Sequence, residues 1–340
     1  MPTSAFRTDP QVPSMVNRSP TPLPAPPRLL ILDLLVERSE FGHGGNLEIL
    51  RPFVDAAGRA EALLLTPQYQ SAECSAAADS AISATGAASQ AGRHSPPLPD
   101  GVRMLNRSEV PEWDESVPFE ASRTVPLGAG EVELRRISMP SADRLADWLR
   151  LLSPTAVVCS GSRRNITMWE AWMTDAEALL RCTVLADVPT LGICFGHQML
   201  CRAMGGRIER TAAPTHSIAP VELNDAAATD PMFGRLGRGT PLLGLYTHQE
   251  HVVDIGVDTR MLASSPHTRI AAVRLHAEDG RGRCAWGVQF HPEASEAQID
   301  RALHLGHISE QEAAAFAGEH DGAAVLEAFA SQALAAASRG

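Results

Sequence analysis

The sequence has no long hydrophobic run: no apolar stretch in its 340 residues approaches the roughly 20 that a membrane-crossing helix requires. It is short of positive charge, with 29 Lys and Arg against 40 Asp and Glu, a formal net charge of −11. That balance argues against a nucleic-acid backbone or an anionic membrane surface as the main partner. No secretory signal is recognisable, because Pro2, Pro10, Pro13, Pro20, Pro22, Pro24, Pro26 and Pro27 occupy the place of an apolar h-region. The six cysteines (Cys74, Cys159, Cys182, Cys194, Cys201 and Cys284) lack the paired spacing of a metal site or a disulfide framework. They read as free thiols in a reducing, cytoplasmic setting. The histidines show no metal-ligand spacing either, so neither metal nor cofactor is expected. Gly42-His43-Gly44-Gly45 lacks the Lys-Ser or Lys-Thr that would make it a phosphate loop. No internal repeat is present.

What remains is ordinary for a soluble globular chain, 44% apolar and 20% charged. Residues 1–27 read as a disordered, proline-rich leader. Order is expected to begin at the apolar run Arg28-Leu29-Leu30-Ile31-Leu32-Asp33-Leu34-Leu35, a buried parallel strand. A Gly-rich loop at 41–45 follows, with Asn46 capping the next helix. Residues 66–130 lose periodicity and read as an atypical, partly disordered insertion whose second half packs on the surface. Strand and helix patterns then alternate from 132 to the apolar run before Cys194. That alternation predicts a three-layer α/β/α fold with a mostly parallel central sheet. Residues 207–290 read as β-rich, with strands expected at 207–210, 218–223, 242–246, 269–275 and 284–290. The Ala-rich tail reads as helical. The expected organisation is one domain over 28–300 and a C-terminal helical extension over 301–340.

One cysteine has a context unlike the others. Gly192-Ile193-Cys194-Phe195-Gly196-His197-Gln198 lies between an apolar strand pattern and a helical one. A sharp strand-to-helix turn lifts a nucleophile to the top of a parallel sheet. The start of a helix also favours a thiolate there. About a hundred residues later, Trp286-Gly287-Val288-Gln289-Phe290-His291-Pro292-Glu293 closes another apolar strand. A cysteine nucleophile needs a base, and the base needs an orienting acceptor. Cys194, His291 and Glu293 are the candidates for these three roles. Ser160-Gly161-Ser162 falls at a third strand end, where α/β sheets place their sites.

These residues together resemble the class I, or triad, glutamine amidotransferases, which carry a Gly-x-Cys-x-Gly elbow and a distant His-Pro-Glu. The wording around Cys194, with Ala203-Met204-Gly205-Gly206 behind it, looks most like the GMP-synthase-type glutaminase domain and its stand-alone relatives. The resemblance covers roughly residues 28–65 and 130–296 and implies a flavodoxin-like fold. It implies that Cys194 attacks the side-chain amide of L-glutamine, that ammonia leaves, and that water hydrolyses a glutamyl thioester. It assigns the oxyanion hole to the backbone N–H of Phe195 and to Gly161 or Ser162. It places Gln198 and the stretch Thr247-His248-Gln249-Glu250-His251-Val252 along the substrate or the lining of the site, Thr247 and His248 foremost. The family loop commonly reads Gly-Gly-Pro, where this chain has Gly161-Ser162-Arg163. No synthetase signature is found in the sequence, so the ammonia is expected to pass to a separate ATP-dependent synthetase or ligase. The same triad would also suit a hydrolase or peptidase acting on a γ-glutamyl conjugate. A third reading is a non-catalytic regulatory module with a relic triad.

Overall fold

The apolar run after Pro27 forms β1 (Arg28–Leu32), and its alternation sorts its residues between two cores. Leu29 and Ile31 belong to one hydrophobic cluster, Leu30 and Leu32 to another. Such a strand is apolar on both sides because helices cover both faces. The computed structural model describes residues 25–69, 98, 102–115, 118–236 and 241–339. The leader up to residue 24 and most of 70–101 lie outside the described residues, Cys74 among them.

Among the described residues the strands form an eleven-stranded sheet in the order β3-β4-β2-β1-β5-β6-β11-β10-β9-β7-β8. The central strands β4 (Gly130–Ile137), β2 (Arg59–Leu65), β1, β5 (Ala156–Cys159), β6 (Thr190–Ile193) and β11 (Gly282–Val288) pair in parallel. Antiparallel strands flank them. On one side lies β3 (Ser122–Leu127), and on the other β10 (Ala272–His276), β9 (Thr259–Ser264) and the ribbon of β7 (Arg207–Leu223) with β8 (Leu242–Asp254). One face is covered by α1 (Ser39–Ala57) and α8 (Gly322–Ala337). The other is covered by α2 (Leu145–Leu152), α3 (Ala171–Leu185) and α4 (Phe195–Ala203). The fold is α/β, with three layers and a mixed, mostly parallel central sheet. Three further α-helices among the described residues are α5 (Asp225–Ala228), α6 (Glu296–His304) and α7 (Glu310–Ala315).

Several segments differ from the sequence-based expectation. Residues 41–45 are not a loop: they lie inside α1, which begins before them. Their glycines serve close packing. A Cβ on Gly44 would come within 2.7 Å of Gln298 Nε2, and one on Gly45 within 3.1 Å of Glu293 Cγ. Asn46 is accordingly mid-helix and buried rather than a cap. The segment read as an insertion supplies β3, whose Pro126 is tolerated because β3 is an edge strand. The strands expected at 207–210 and 218–223 are one continuous β7, and β9 was not anticipated. The helical tail is three helices. The last of them places Val325, Leu326, Phe329, Ala330 and Ala333 in the core, with Phe329 edge-on to Phe53 and Trp286.

Candidate active site

The carboxyl ends of the parallel strands β5, β6 and β11 gather the residues singled out in the sequence. β6 ends at Ile193, and Cys194 takes φ 50° and ψ −102° before α4 begins. Positive φ is costly for a residue with a side chain, so the surrounding structure must impose it. Two glycines make the bend possible. A Cβ on Gly192 would lie 2.5 Å from the Gly196 carbonyl oxygen, and one on Gly196 would overlap the Cys159 carbonyl oxygen. The result is a buried cysteine at the mouth of a helix. Its Sγ lies 3.7 Å from the Thr247 carbonyl oxygen and 3.6 Å from Gln289 Nε2.

The chain leaving β11 brings His291 to the same place, held by its backbone N–H donating to Leu245 O at 2.8 Å. His291 Nδ1 is 2.8 Å from Glu293 Oε1. A carboxylate only accepts, so Nδ1 carries the proton, and Nε2 is left as the working nitrogen. Nε2 is buried, and the ring also interacts with the Cys194 side chain. Burial is the largest influence on the ring and works against its charge. Glu293 and then Cys194 outweigh it and hold the His291 pKa well above the usual range. The imidazolium is therefore the favoured form beside the sulphur.

Gly161 follows β5 and its backbone lies against the His291 ring, since a Cβ there would come within 2.7 Å of Cε1. A side chain at 161 would displace the ring. Ser162 Oγ accepts from the Arg164 N–H at 3.1 Å, which tightens the loop. Phe195 opens α4, so helix geometry leaves its N–H without an intrahelical acceptor. Its ring stacks on Trp172 at 5.8 Å. Thr247 contributes its carbonyl to the sulphur and its Oγ1 to His216 Nδ1 at 3.0 Å. His248 is buried, with Nδ1 3.0 Å from the Glu250 carbonyl oxygen. Burial, reinforced by the charge of His291, lowers its pKa to about 4, so it is neutral. Gln198 is buried and its Nε2 donates to Glu250 O at 2.6 Å and to Gln289 Oε1 at 3.2 Å. Its amide nitrogen is thus committed within the protein, which leaves its carbonyl oxygen for anything else.

Gln289 carried no role in the sequence reading, and Glu250 entered it only within the stretch 247–252. Gln289 is fully buried and touches the sulphur. A polar amide at the end of an otherwise apolar strand run was the available signal, because a buried amide must find partners. Glu250 is also buried and accepts from the backbone of Ile166 at 2.6 Å and Thr167 at 3.2 Å, and from the Thr167 hydroxyl. It fastens the segment after the Gly161 loop to β8. Nothing in its local sequence pointed to that long-range contact. Among the described residues no group of three or more His, Cys, Asp or Glu side chains is placed to hold a metal ion, and no helix is long and apolar enough to cross a membrane.

A family model described as glutamine amidotransferase class-I matches residues 126–304. The chain is similar to the glutamine-hydrolysing GMP synthase of Staphylococcus saprophyticus, 27% identical over 155 residues, which cover 46% of this chain and 27% of that protein. It is similar to the GMP synthase of Gloeobacter violaceus at 28% over 155 residues, covering 46% of this chain and 25% of that one. The match therefore spans about a quarter of the length of these relatives. Among solved structures, a glutamine amidotransferase from Thermotoga maritima aligns at 18% identity with a TM-score of 0.43, covering 54% of this chain and 80% of that one. A glutamine amidotransferase from Methylobacillus flagellatus aligns at 18% with a TM-score of 0.44, covering 62% and 83%.

Proposed function

The chain belongs to the class-I glutamine amidotransferase family, and from that premise we propose that it hydrolyses the side-chain amide of L-glutamine to glutamate and ammonia. The observation that carries this reading is the arrangement of His291: Nδ1 is fixed on Glu293, and the ring also interacts with the Cys194 side chain. In the proposed reaction the Cys194 proton already resides on His291 Nε2, and Sγ attacks the amide carbon as thiolate. The backbone N–H of Phe195 and one from Gly161 or Ser162 receive the developing oxyanion. The C–N bond breaks as His291 returns its proton to the leaving ammonia. His291 then removes a proton from water, which attacks the thioester, and the cysteine leaves as thiolate. Gln198, Thr247 and His248 line the glutamine. The ammonia passes to a separate ATP-dependent synthetase or ligase in the cytoplasm. The similarity to glutamine-hydrolysing GMP synthases supports the substrate.

Purified protein should release ammonia and glutamate from L-glutamine, and Cys194→Ala should reduce that release by about a thousandfold or more. Turnover of γ-glutamyl amines without turnover of glutamine would replace this reading with a γ-glutamyl hydrolase. Absence of both would indicate a relic triad.

A further inference from the structure

The orientation of one buried side-chain amide can be derived from a backbone carbonyl two contacts away. Gln198 Nε2 lies 2.6 Å from the Glu250 carbonyl oxygen. A carbonyl oxygen can only accept, so the group Gln198 turns toward it must be the NH2. The same Nε2 lies 3.2 Å from the amide of Gln289, which must therefore present its oxygen to Gln198. That leaves the Gln289 NH2 pointing the other way, 3.6 Å from Cys194 Sγ. Oxygen and nitrogen of an amide are assigned from their network, and here the network permits one assignment. All three side chains are buried, Gln198 at 3% exposure, Gln289 at 0% and Cys194 at 6%. No bulk water competes for these bonds.

The geometry points to Gln289 as a catalytic residue that donates a hydrogen bond to the Cys194 sulphur when it is charged, with Gln198 and the Glu250 carbonyl as the positioning groups that aim it. The inference rests on the reading of Cys194 as nucleophile. Two neighbours of the sulphur favour opposite protonation states. The Thr247 carbonyl oxygen, 3.7 Å away, accepts from a thiol and is unfavourable next to a thiolate. The Gln289 N–H favours the thiolate. Gln289 thus acts at two points of the cycle. It stabilises the sulphur while His291 holds its proton, and again when the sulphur departs from the thioester as thiolate. No bond to Gln289 forms or breaks at either point.

The test is the pH dependence of Cys194 alkylation by iodoacetamide, followed by peptide mass spectrometry on the full chain. Gln289→Met removes the donor without adding charge. Gln289→Glu keeps an oxygen acceptor for Gln198 and the shape of the side chain. The ionisable groups around the sulphur are His291 with Glu293 after β11, His248 on β8 and His197 on α4, and both variants retain them. A hydrogen bond to a charged group is strong enough to move such a midpoint by roughly one pH unit or more. The alkylation midpoint should rise by about that amount in each folded variant, with reactivity at neutral pH falling about tenfold. A folded Gln289→Met protein with the wild-type midpoint would overturn the proposal, as would a folded Gln289→Glu protein with it. If neither variant folds, the side-chain amide signal of Gln289 in 15N-labelled wild-type protein decides. It should shift in step with the alkylation midpoint, and constancy across that range would overturn the proposal. Alkylation requires no glutamine. A protein that fails to hydrolyse glutamine but shows the midpoint shift refutes the glutaminase reading alone, and one that turns over glutamine with an unmoved midpoint refutes only the Gln289 role.

Discussion

Strands β5 and β6 lie side by side in parallel; β5 ends in a cysteine and β6 is followed by one, yet the two thiols have different surroundings. Cys159 is the last residue of β5, with regular strand geometry and a side chain in the cluster beneath α3 and α4. Burial alone acts on it and pushes its pKa up. Cys194 follows β6 in a strained turn and packs with the cluster on the other face of the sheet. It is also buried, but it has an imidazole, an amide N–H and a helix start around it. Cys201, two turns further along α4, is like Cys159: burial pushes its thiol up to about 12. Position at a strand end therefore does not set the surroundings of a thiol. The turn that reverses the side chain's face, together with what β11 delivers beside it, does.

The two strand ends touch through Gly196, which allows the strongest test of the comparison. Gly196→Ala places a Cβ against the Cys159 carbonyl oxygen, so either the elbow or β5 must move. Loss of about 4 kcal/mol or more is expected, read as a fall in the urea midpoint or as insoluble protein. A stable, active Gly196→Ala protein would break the account of the elbow.

The histidines show the same contrast as the cysteines. His291 and His248 are both buried, but only His291 has a carboxylate partner. His248 falls from 6.5 to about 4, largely through burial, so the unfolded chain binds more protons than the folded one between those values. Stability should decline as pH falls from about 6.5 through about 4, by roughly 3 kcal/mol from this group. His291 has the opposite sign. Its contribution is complete below the ordinary histidine range and is lost as pH rises through its raised pKa. Chemical denaturation across pH, with His248→Asn expected to flatten the acid limb, checks the first of these.

Glu293→Gln removes the charge that holds His291 protonated while keeping the side-chain shape. Glutamine turnover should fall about 10- to 100-fold, and the pH at which His291 loses its proton should move down in an NMR titration. The smallest effect belongs to the inert member of the cysteine pair. Cys159→Ala should leave turnover within about twofold and cost about 1 kcal/mol of stability in urea unfolding, as a small truncation in a packed interior. A large loss of turnover there would erase the distinction between the two strand ends.

The elbow and the His-Pro-Glu were legible in the sequence because local backbone needs wrote them. Gly192 and Gly196 are fixed by contacts within a few residues or with the adjoining strand, and Pro292 separates His291 from Glu293 directly. The central strands were legible for a similar reason, since burial on both faces leaves continuous apolar runs such as Arg28–Leu32. What escaped was set by distant packing. The glycines at 42–45 look like a loop until Leu35, Gln298 and Glu293 are seen pressed against them. β3 and β9 are short and partly exposed, so Arg123 and Arg260 interrupt any apolar signal. The ribbon of β7 is half solvent-exposed and includes Pro214 and Pro220. The roles of Gln289 and Glu250 depend on partners 91 and 84 residues away in the chain, at Gln198 and Ile166.

The central claim is that Cys194, alone among these thiols, attacks a γ-glutamyl amide. Incubation of the full-length protein with an electrophilic glutamine analogue, followed by peptide mass spectrometry, tests it most directly. The account predicts a single adduct on Cys194, protected by L-glutamine and lost in His291→Asn, with Cys159 and Cys201 unmodified. An adduct on another cysteine, or none on Cys194 in folded protein, would contradict it.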